Sequence, residues 1–270
     1  MVKSPGLFGF IKALWRIARG RPQVPPSQRD NPLLNALLRR RSVRSFANRP
    51  LPDDVFAAIL EAGRTAPSTV NLQSWSFATF TADSWRALFE HPIPFKAPRA
   101  VIILADAHRD RLALGTDVLP RSPLIEYTLA VMNASLAAMA MNVAAEALGV
   151  SSVMLSETGR AGLLDMAYLA QKLRLPPGVF PLTTIVLGYT AGAYPPMPPR
   201  LPLQTVSFDG AQGYREPAPG IMCDWLEQMI AGYKVSHLSS SFEAQLRIYQ
   251  NKIGQAEADL HRMIFGETET

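Results

Sequence analysis

Apolar residues recur along this chain at helical spacing in some stretches and as short unbroken runs in others. Leu7, Phe10, Ile11, Leu14, Ile17 and Ala18 share one face of a helical wheel, with Lys12, Arg16 and Arg19 on the other, which predicts an amphipathic helix over 7–18. A second helix is expected over 32–39, ending in an arginine cluster. A third over 51–64 opens on Pro52 and Asp53 and turns Val55, Phe56, Ile59 and Leu60 inward. Trp75 to Phe80 reads as a strand, and the run Ala-Val-Ile-Ile-Leu-Ala at 100–105 as a fully buried one. The stretch 123–148 is rich in Ala and Met, with hardly a charge between Glu126 and Glu146. A helix apolar all round needs cover on every side, which points to the middle of a sandwich or to a subunit interface. A strand at 151–155, a helix at 161–173 and a β-branched strand at 180–188 complete the body. A mixed α and β order, with helices flanking a sheet, is therefore expected. Farther on, Ser240-Ser241-Phe242-Glu243 reads as a capping box. Phe242, Leu246, Tyr249, Ile253, Ala256, Leu260 and Met263 follow at spacings of four and three, a seam for packing against another helix, foremost one of a partner subunit.

Composition narrows the class. At 270 residues and 48% hydrophobic content the chain can bury one large core with appendages. A single cysteine, Cys223, rules out an internal disulfide framework, so a reducing compartment, the cytoplasm, is the expectation. The histidines at 91, 108, 237 and 261 are too scattered for a local metal motif, and no metal site is expected. No apolar run approaches the roughly 20 residues of a spanning helix. Neither a G-x-G-x-x-G nor a Walker-type phosphate loop is present, which removes support for those nucleotide sites.

Charge is unevenly placed. Residues 1–44 carry ten Lys and Arg against Asp30 alone, a formal +9, so the remainder carries −4 of the net +5. No basic stripe with interleaved aromatics recurs later, so nucleic acid is not an expected partner. The amphipathic helix has two readings. It docks on the protein's own body or on a dimer partner, or it makes peripheral contact with an anionic membrane through residues 7–18. Residues 20–31, with Pro22, Pro25 and Pro26, form its tether.

Two segments carry the candidate chemistry. Arg40-Arg41-Ser42-Val43-Arg44-Ser45-Phe46 crowds three arginines and a hydroxyl together, an arrangement that an anion relieves and that suits phosphate oxygens. Ala66-Pro67-Ser68-Thr69-Val70-Asn71-Leu72-Gln73-Ser74-Trp75 puts two amides on a turn, where they can meet the polar edge of a flat ring. An anion cradle and an amide-bearing turn together suit a phosphorylated heterocycle. The pair resembles the FMN-binding segments of the nitroreductase family, R-R-S-x-R-x-F followed by A-P-S-x-x-N-x-Q-P-W. Ser74 stands in place of that family's proline, a departure expected to loosen the turn without removing a polar group.

The resemblance covers roughly 32–208. It implies an α+β fold, a three-layer α/β/α sandwich in an interlocked homodimer, with flavin sites at the subunit interface. Residues 1–31 would then be an N-terminal helix and tether, and 209–270 a C-terminal helical extension. It further implies FMN as cofactor, with Arg40, Arg41, Ser42, Arg44, Pro67, Ser68, Asn71 and Gln73 around it. Leu155, Ser156 and Glu157 match the positions where the family's chain passes under the ring, and Arg200, within Pro198-Pro199-Arg200-Leu201-Pro202-Leu203, matches its last phosphate ligand. The family's long-helix Asn falls here at Ala140, with Asn133 and Asn142 off that position, so no contact from this helix is carried over. Residues 106–121 read as a charged loop of the kind that covers substrates. The implied activity is ping-pong transfer of hydride from NAD(P)H to an electron-poor acceptor, a nitroaromatic or a quinone. No catalytic side chain is implied, because the flavin N5 carries the chemistry. The alternatives are a dehalogenating or flavin-fragmenting relative, and a non-catalytic flavin-binding protein docked at a membrane.

Overall fold

The computed structural model describes residues 6–22, 24–115, 122–156, 162–237 and 240–266. Two compact units divide the chain. One joins Met1–Pro25 to Pro196–Asn251, the other Pro26–Pro195 to Lys252–Thr270. The N-terminal helix thus shares a unit with much of the C-terminal extension.

The larger unit is built on four strands, β1 (Trp75–Thr81), β2 (Arg99–Asp106), β3 (Ser151–Leu155) and β4 (Val179–Gly188), in the order β1-β2-β4-β3. Every pair is antiparallel. Side chains alternate across a strand, and β2 shows what the alternation does. Its Val101, Ile103 and Ala105 face one core, while Ala100, Ile102 and Leu104 face another. The first core is closed by α3 (Asp53–Arg64) and α6 (Pro123–Ala147). The second is closed by α4 (Ala82–Phe89), through Trp85 and Phe89, and by α7 (Met166–Leu173), through Leu169. This is the expected three-layer sandwich. A short helix α2 (Pro32–Arg39) precedes it, capped by Asn31, whose side chain accepts from the Leu34 N–H at 3.0 Å.

Several expectations need correction. The charged stretch after 105 is not a loop: Asp106 accepts from the Arg109 N–H and opens α5 (Ala107–Leu114), while 116–121 lie outside the described residues. The helix expected over 161–173 is shorter, a 3-10 turn at Leu163–Asp165 leading into α7. By length and composition α6 is apolar enough to cross a membrane, contrary to the sequence reading. Its buried face lies on the sheet, with Asn133 and Asn142 bonded inside the fold, as suits a core helix. Nor is α6 covered all round by its own chain. Ala130, Ala134, Ala137, Ala138, Met141 and Ala145 are buried, whereas Leu124, Ile125, Met132, Leu136 and Met139 are exposed.

In the smaller unit α1 (Leu7–Arg19) packs along α9 (Pro219–Ser236), a helix that the sequence reading did not delimit. A four-residue helix, α8 (Leu203–Val206), precedes α9 along the chain. Ala13 is buried, Arg16 pairs with Asp224 at 2.9 Å, and Gly232 leaves room for Ile17. The apolar face of α1 is thereby split. Phe10, Ala13, Leu14 and Ile17 turn inward, while Leu7, Phe8, Ile11 and Trp15 remain exposed beside Lys12 and Arg19. The last helix, α10 (Phe242–Phe265), spans the boundary between the units. Ser241, not Ser240, caps it, accepting from the Ala244 N–H at 3.1 Å. Its Leu260 and Met263 pack on the chain's own core, and Leu246 and Ile253 stay exposed.

Candidate functional site

The arginine segment runs along the outer edge of the sheet. Val43 N–H donates to the Ser152 carbonyl of β3 at 3.0 Å, Ala47 N–H to Tyr189 at 2.7 Å, and Ala191 N–H to Ser45 at 3.0 Å. Val43 is buried, and this anchors the backbone while its neighbours Ser42 and Arg44 point elsewhere. Among the described residues no carboxylate pairs with Arg40 or Arg44. Arg44 has only a long 3.4 Å contact to the Ser42 carbonyl. Arg41 is used differently. Its guanidinium donates to the carbonyls of Leu38, Arg39 and Arg40 at 2.8–2.9 Å, closing the open end of α2, and its Nε is buried without a partner. Its backbone N–H donates to the Tyr194 hydroxyl at 3.1 Å, which donates in turn to Glu146 at 2.6 Å. Burial and the Glu146 hydrogen bond push the Tyr194 phenol up to about 12, so it stays a donor at neutral pH.

The amide turn lies before β1 and is strained. Val70, Asn71 and Gln73 all have positive φ, at 50°, 58° and 58°. A β-branched residue there is a backbone outlier, and Val70 is also 88% exposed, so burial gains nothing for it. Such strain persists only where surrounding bonds impose it. Ser68 Oγ accepts from the Gln73 N–H at 3.0 Å, and Asn133 of α6 accepts from the Thr69 N–H at 3.0 Å. Asn133 also donates to Ser74 Oγ at 3.1 Å, and Ser74 donates to Asp110 of α5 at 2.6 Å. Both Asn133 and Ser74 are 1% exposed. Ser74 therefore tightens this turn instead of loosening it. Pro67 and the Asn71 side chain are exposed, and the Gln73 amide touches only the Asn71 carbonyl, at 3.4 Å.

Burial raises the carboxyl of Asp110 above its ordinary value. The bond from Ser74 and the charge of Arg109 oppose the shift, and the nearby Asp106 and Glu126 add to it. One oxygen of Asp110 is buried without a partner. Alongside, Ser76 donates to Asp106 and accepts from Arg109 at 2.9 Å.

Leu155 is buried at the end of β3 and Ser156 is exposed next to it, while Glu157 lies outside the described residues. Arg200 is exposed in the Pro-rich segment of the smaller unit. Asn133, Ser74, Asp110, Asn142 and Tyr194 were not expected at the site. Two asparagines on an otherwise apolar helix were a legible signal, since a buried amide needs partners. Asn142 accepts from Ser152 Oγ at 2.7 Å and so fixes β3 beside the arginine segment.

Strand register shows how far apart the two segments are. Ser42 bridges to Ser152, which stands level with Leu187, Arg99 and Thr81 across the sheet. The amide turn precedes Trp75, at the opposite end of β1. Six residues along a strand and four strand spacings across separate them, about 20 Å by about 19 Å and so on the order of 28 Å. They occupy diagonal corners of one sheet, too far apart for a single mononucleotide to touch both within one chain.

The sequence profile of the Nitroreductase family matches residues 37–189, more than half of the chain and the whole span from the arginine segment to the end of β4. The chain belongs to the nitroreductase family. Among curated proteins it is 26% identical over 186 residues to the FMN reductase [NAD(P)H] of Bacillus subtilis, covering 66% of this chain and 73% of that protein. It is 29% identical over 184 residues to an NADPH-dependent oxidoreductase of Staphylococcus aureus, covering 64% and 70%. Among solved structures, NfrA2 of B. megaterium superposes with a TM-score of 0.72 at 20% identity, over 88% of this chain and all of that one. The NADPH:FMN oxidoreductase from Vibrio harveyi, solved with NAD+, gives 0.67 at 19%, with the same coverage. At these identities the structures speak to the nitroreductase fold alone.

Proposed function

We propose that this nitroreductase-family chain is an FMN-dependent oxidoreductase that takes hydride from NAD(P)H and reduces a small electron-poor acceptor of the nitroaromatic or quinone type. The observation that carries the reading is the strained turn at 69–73, held by buried bonds so that Asn71 and Gln73 face outward, together with Arg40 and Arg44 at the other corner of the sheet, which meet no carboxylate among the described residues. Both sets of donors fit a mononucleotide. Arg40, Ser42 and Arg44 would hold the phosphate, assisted by the orphaned Nε of Arg41. Asn71 and Gln73, with Pro67 and Ser68 shaping the turn, would meet the polar edge of the ring. Leu155 and Ser156 would pass beneath it, with Glu157 and Arg200 assigned by resemblance. Bound FMN supplies the hydride-accepting centre, and the protein supplies binding, orientation and electrostatics.

Two copies of the chain build each site in this reading. The diagonal separation of cradle and turn supports it, as does the bare face of α6, whose Leu136 and Met139 want cover. A second reading, contact with an anionic lipid surface, is favoured by one observation: Leu7, Phe8, Ile11 and Trp15 stand exposed on α1, flanked by Lys12 and Arg19. Sedimentation with anionic vesicles tests that separately. For the main reading the test is an anaerobic absorbance spectrum of the purified protein. A flavin spectrum that bleaches on NADPH supports the enzyme, a flavin that stays oxidised with either nicotinamide leaves a binder, and a colourless protein that takes up no FMN contradicts both.

A further inference from the structure

The turn that carries Asn71 and Gln73 would not hold its backbone by itself. Three of its residues have positive φ without being glycine, and its own contacts are the Ser68–Gln73 bond, a long Gln73 side-chain contact to the Asn71 carbonyl and short backbone turns. What fixes it comes from two helices distant in sequence. One buried amide, Asn133 of α6, grips it at both ends, accepting from the Thr69 N–H and donating to Ser74 Oγ. Thr69 Oγ1 adds a 3.3 Å bond to the same oxygen. The Ser74 hydroxyl can donate only once, and that bond goes to Asp110 on α5. With Asp110 accepting, the direction of the series is set, from Asn133 through Ser74 to Asp110. Had proline stood at 74, as in the family's pattern, neither side-chain bond could form.

We propose that Asn133, Ser74 and Asp110 are positioning residues. The series from α6 through the turn to α5 sets the angle at which Asn71 and Gln73 are presented, and with it the affinity and reduction potential of the flavin. The inference rests on the reading of this turn as the ring-edge contact, and it assigns to Ser74, which stands in place of proline in the family's pattern, the work of that proline. Hydrogen bonds at a flavin's polar edge shift its potential because they stabilise the reduced, more negative ring over the oxidised one. A displaced turn therefore reads out electrochemically and not only as lost stability.

The test uses the full-length protein and four variants, measuring FMN Kd by fluorescence quenching, midpoint potential, and Tm without flavin. Asn133→Ala and Asp110→Ala should each weaken FMN binding about tenfold and move the potential. Asp110→Asn keeps an oxygen to accept from Ser74 and should stay within about twofold of wild type in Kd. Gly63→Ala, which crowds Met141 in the same core without touching the turn, should lower Tm and leave the potential in place. If Asn133→Ala and Asp110→Ala lose Tm while Kd and potential match wild type, the series is merely structural and the proposal is overturned. A wild type that takes up no flavin overturns instead the reading on which it rests.

Discussion

The guanidinium of Arg41 donates to three carbonyls at the end of α2, while those of Arg40 and Arg44 meet no carboxylate among the described residues. Charge-assisted bonds to a phosphate are worth about 1.5–3 kcal/mol each, so Arg40→Ala or Arg44→Ala should weaken FMN binding roughly ten- to a hundredfold in a flavin titration, with little change in Tm. For Arg41→Ala the order is reversed: Tm should fall, because the α2 carbonyls lose their donor. The sequence showed an arginine cluster but not this division of labour, which depends on where α2 ends. Asp110 offers a second test at this scale. Its raised pKa means that the folded state keeps a proton which the unfolded chain has released, across the window from about pH 4, the ordinary carboxylate value, up to the raised value. Stability therefore falls as pH rises through that window. Asp110→Asn removes the ionisation, and its Tm should exceed that of wild type above the window and converge with it below. A wild type whose Tm does not fall relative to the variant with rising pH would contradict the assignment.

Among the elements, α6 organises the site from both margins of its buried stripe. Asn133 holds the amide turn, and Asn142, nine residues on, holds β3 beside the arginines. The helix itself was plain from its run of Ala and Met, and the buried strand 100–105 from its unbroken apolar run. What the asparagines bond to was not, because both partners are remote in sequence and periodicity carries no pairing. The stretch after 105 failed for another reason. Charges at 106, 109, 110 and 111 obscured a helix whose cap, Asp106, doubles as a strand end. Packing of α3 on α6 has its own check. A Cβ on Gly63 would lie 2.3 Å from Cε and 2.8 Å from Cγ of Met141, which is fully buried. Alanine gains up to about 1 kcal/mol over glycine in a helix, but overpacking costs about 1–3 kcal/mol. Gly63→Ala should therefore be destabilised in urea by roughly 1 kcal/mol or more. Equal or greater stability would mean that the interface is slack.

For the whole molecule, alternation in β2 explains the three-layer order, which the sequence offered through the family resemblance and not through periodicity. Assembly was legible only as an apolar helix in want of cover. Strand register bears on the rest: Ser42 and Gln73 stand at diagonal corners on the order of 28 Å apart, which favours the proposed site shared by two chains. Mixed dimers test this directly. One parent carries Arg40→Ala with Arg44→Ala, the other Asn71→Ala with Gln73→Ala, each defective in FMN binding alone. If every site takes its cradle from one chain and its turn from the other, a mixed dimer holds one intact site and one doubly defective site. Co-expressed, differentially tagged dimers should then bind one FMN per two chains at a concentration where neither parent binds. If instead the mixed dimers bind no more FMN than the parents, each site belongs to a single chain and the shared-site account is wrong.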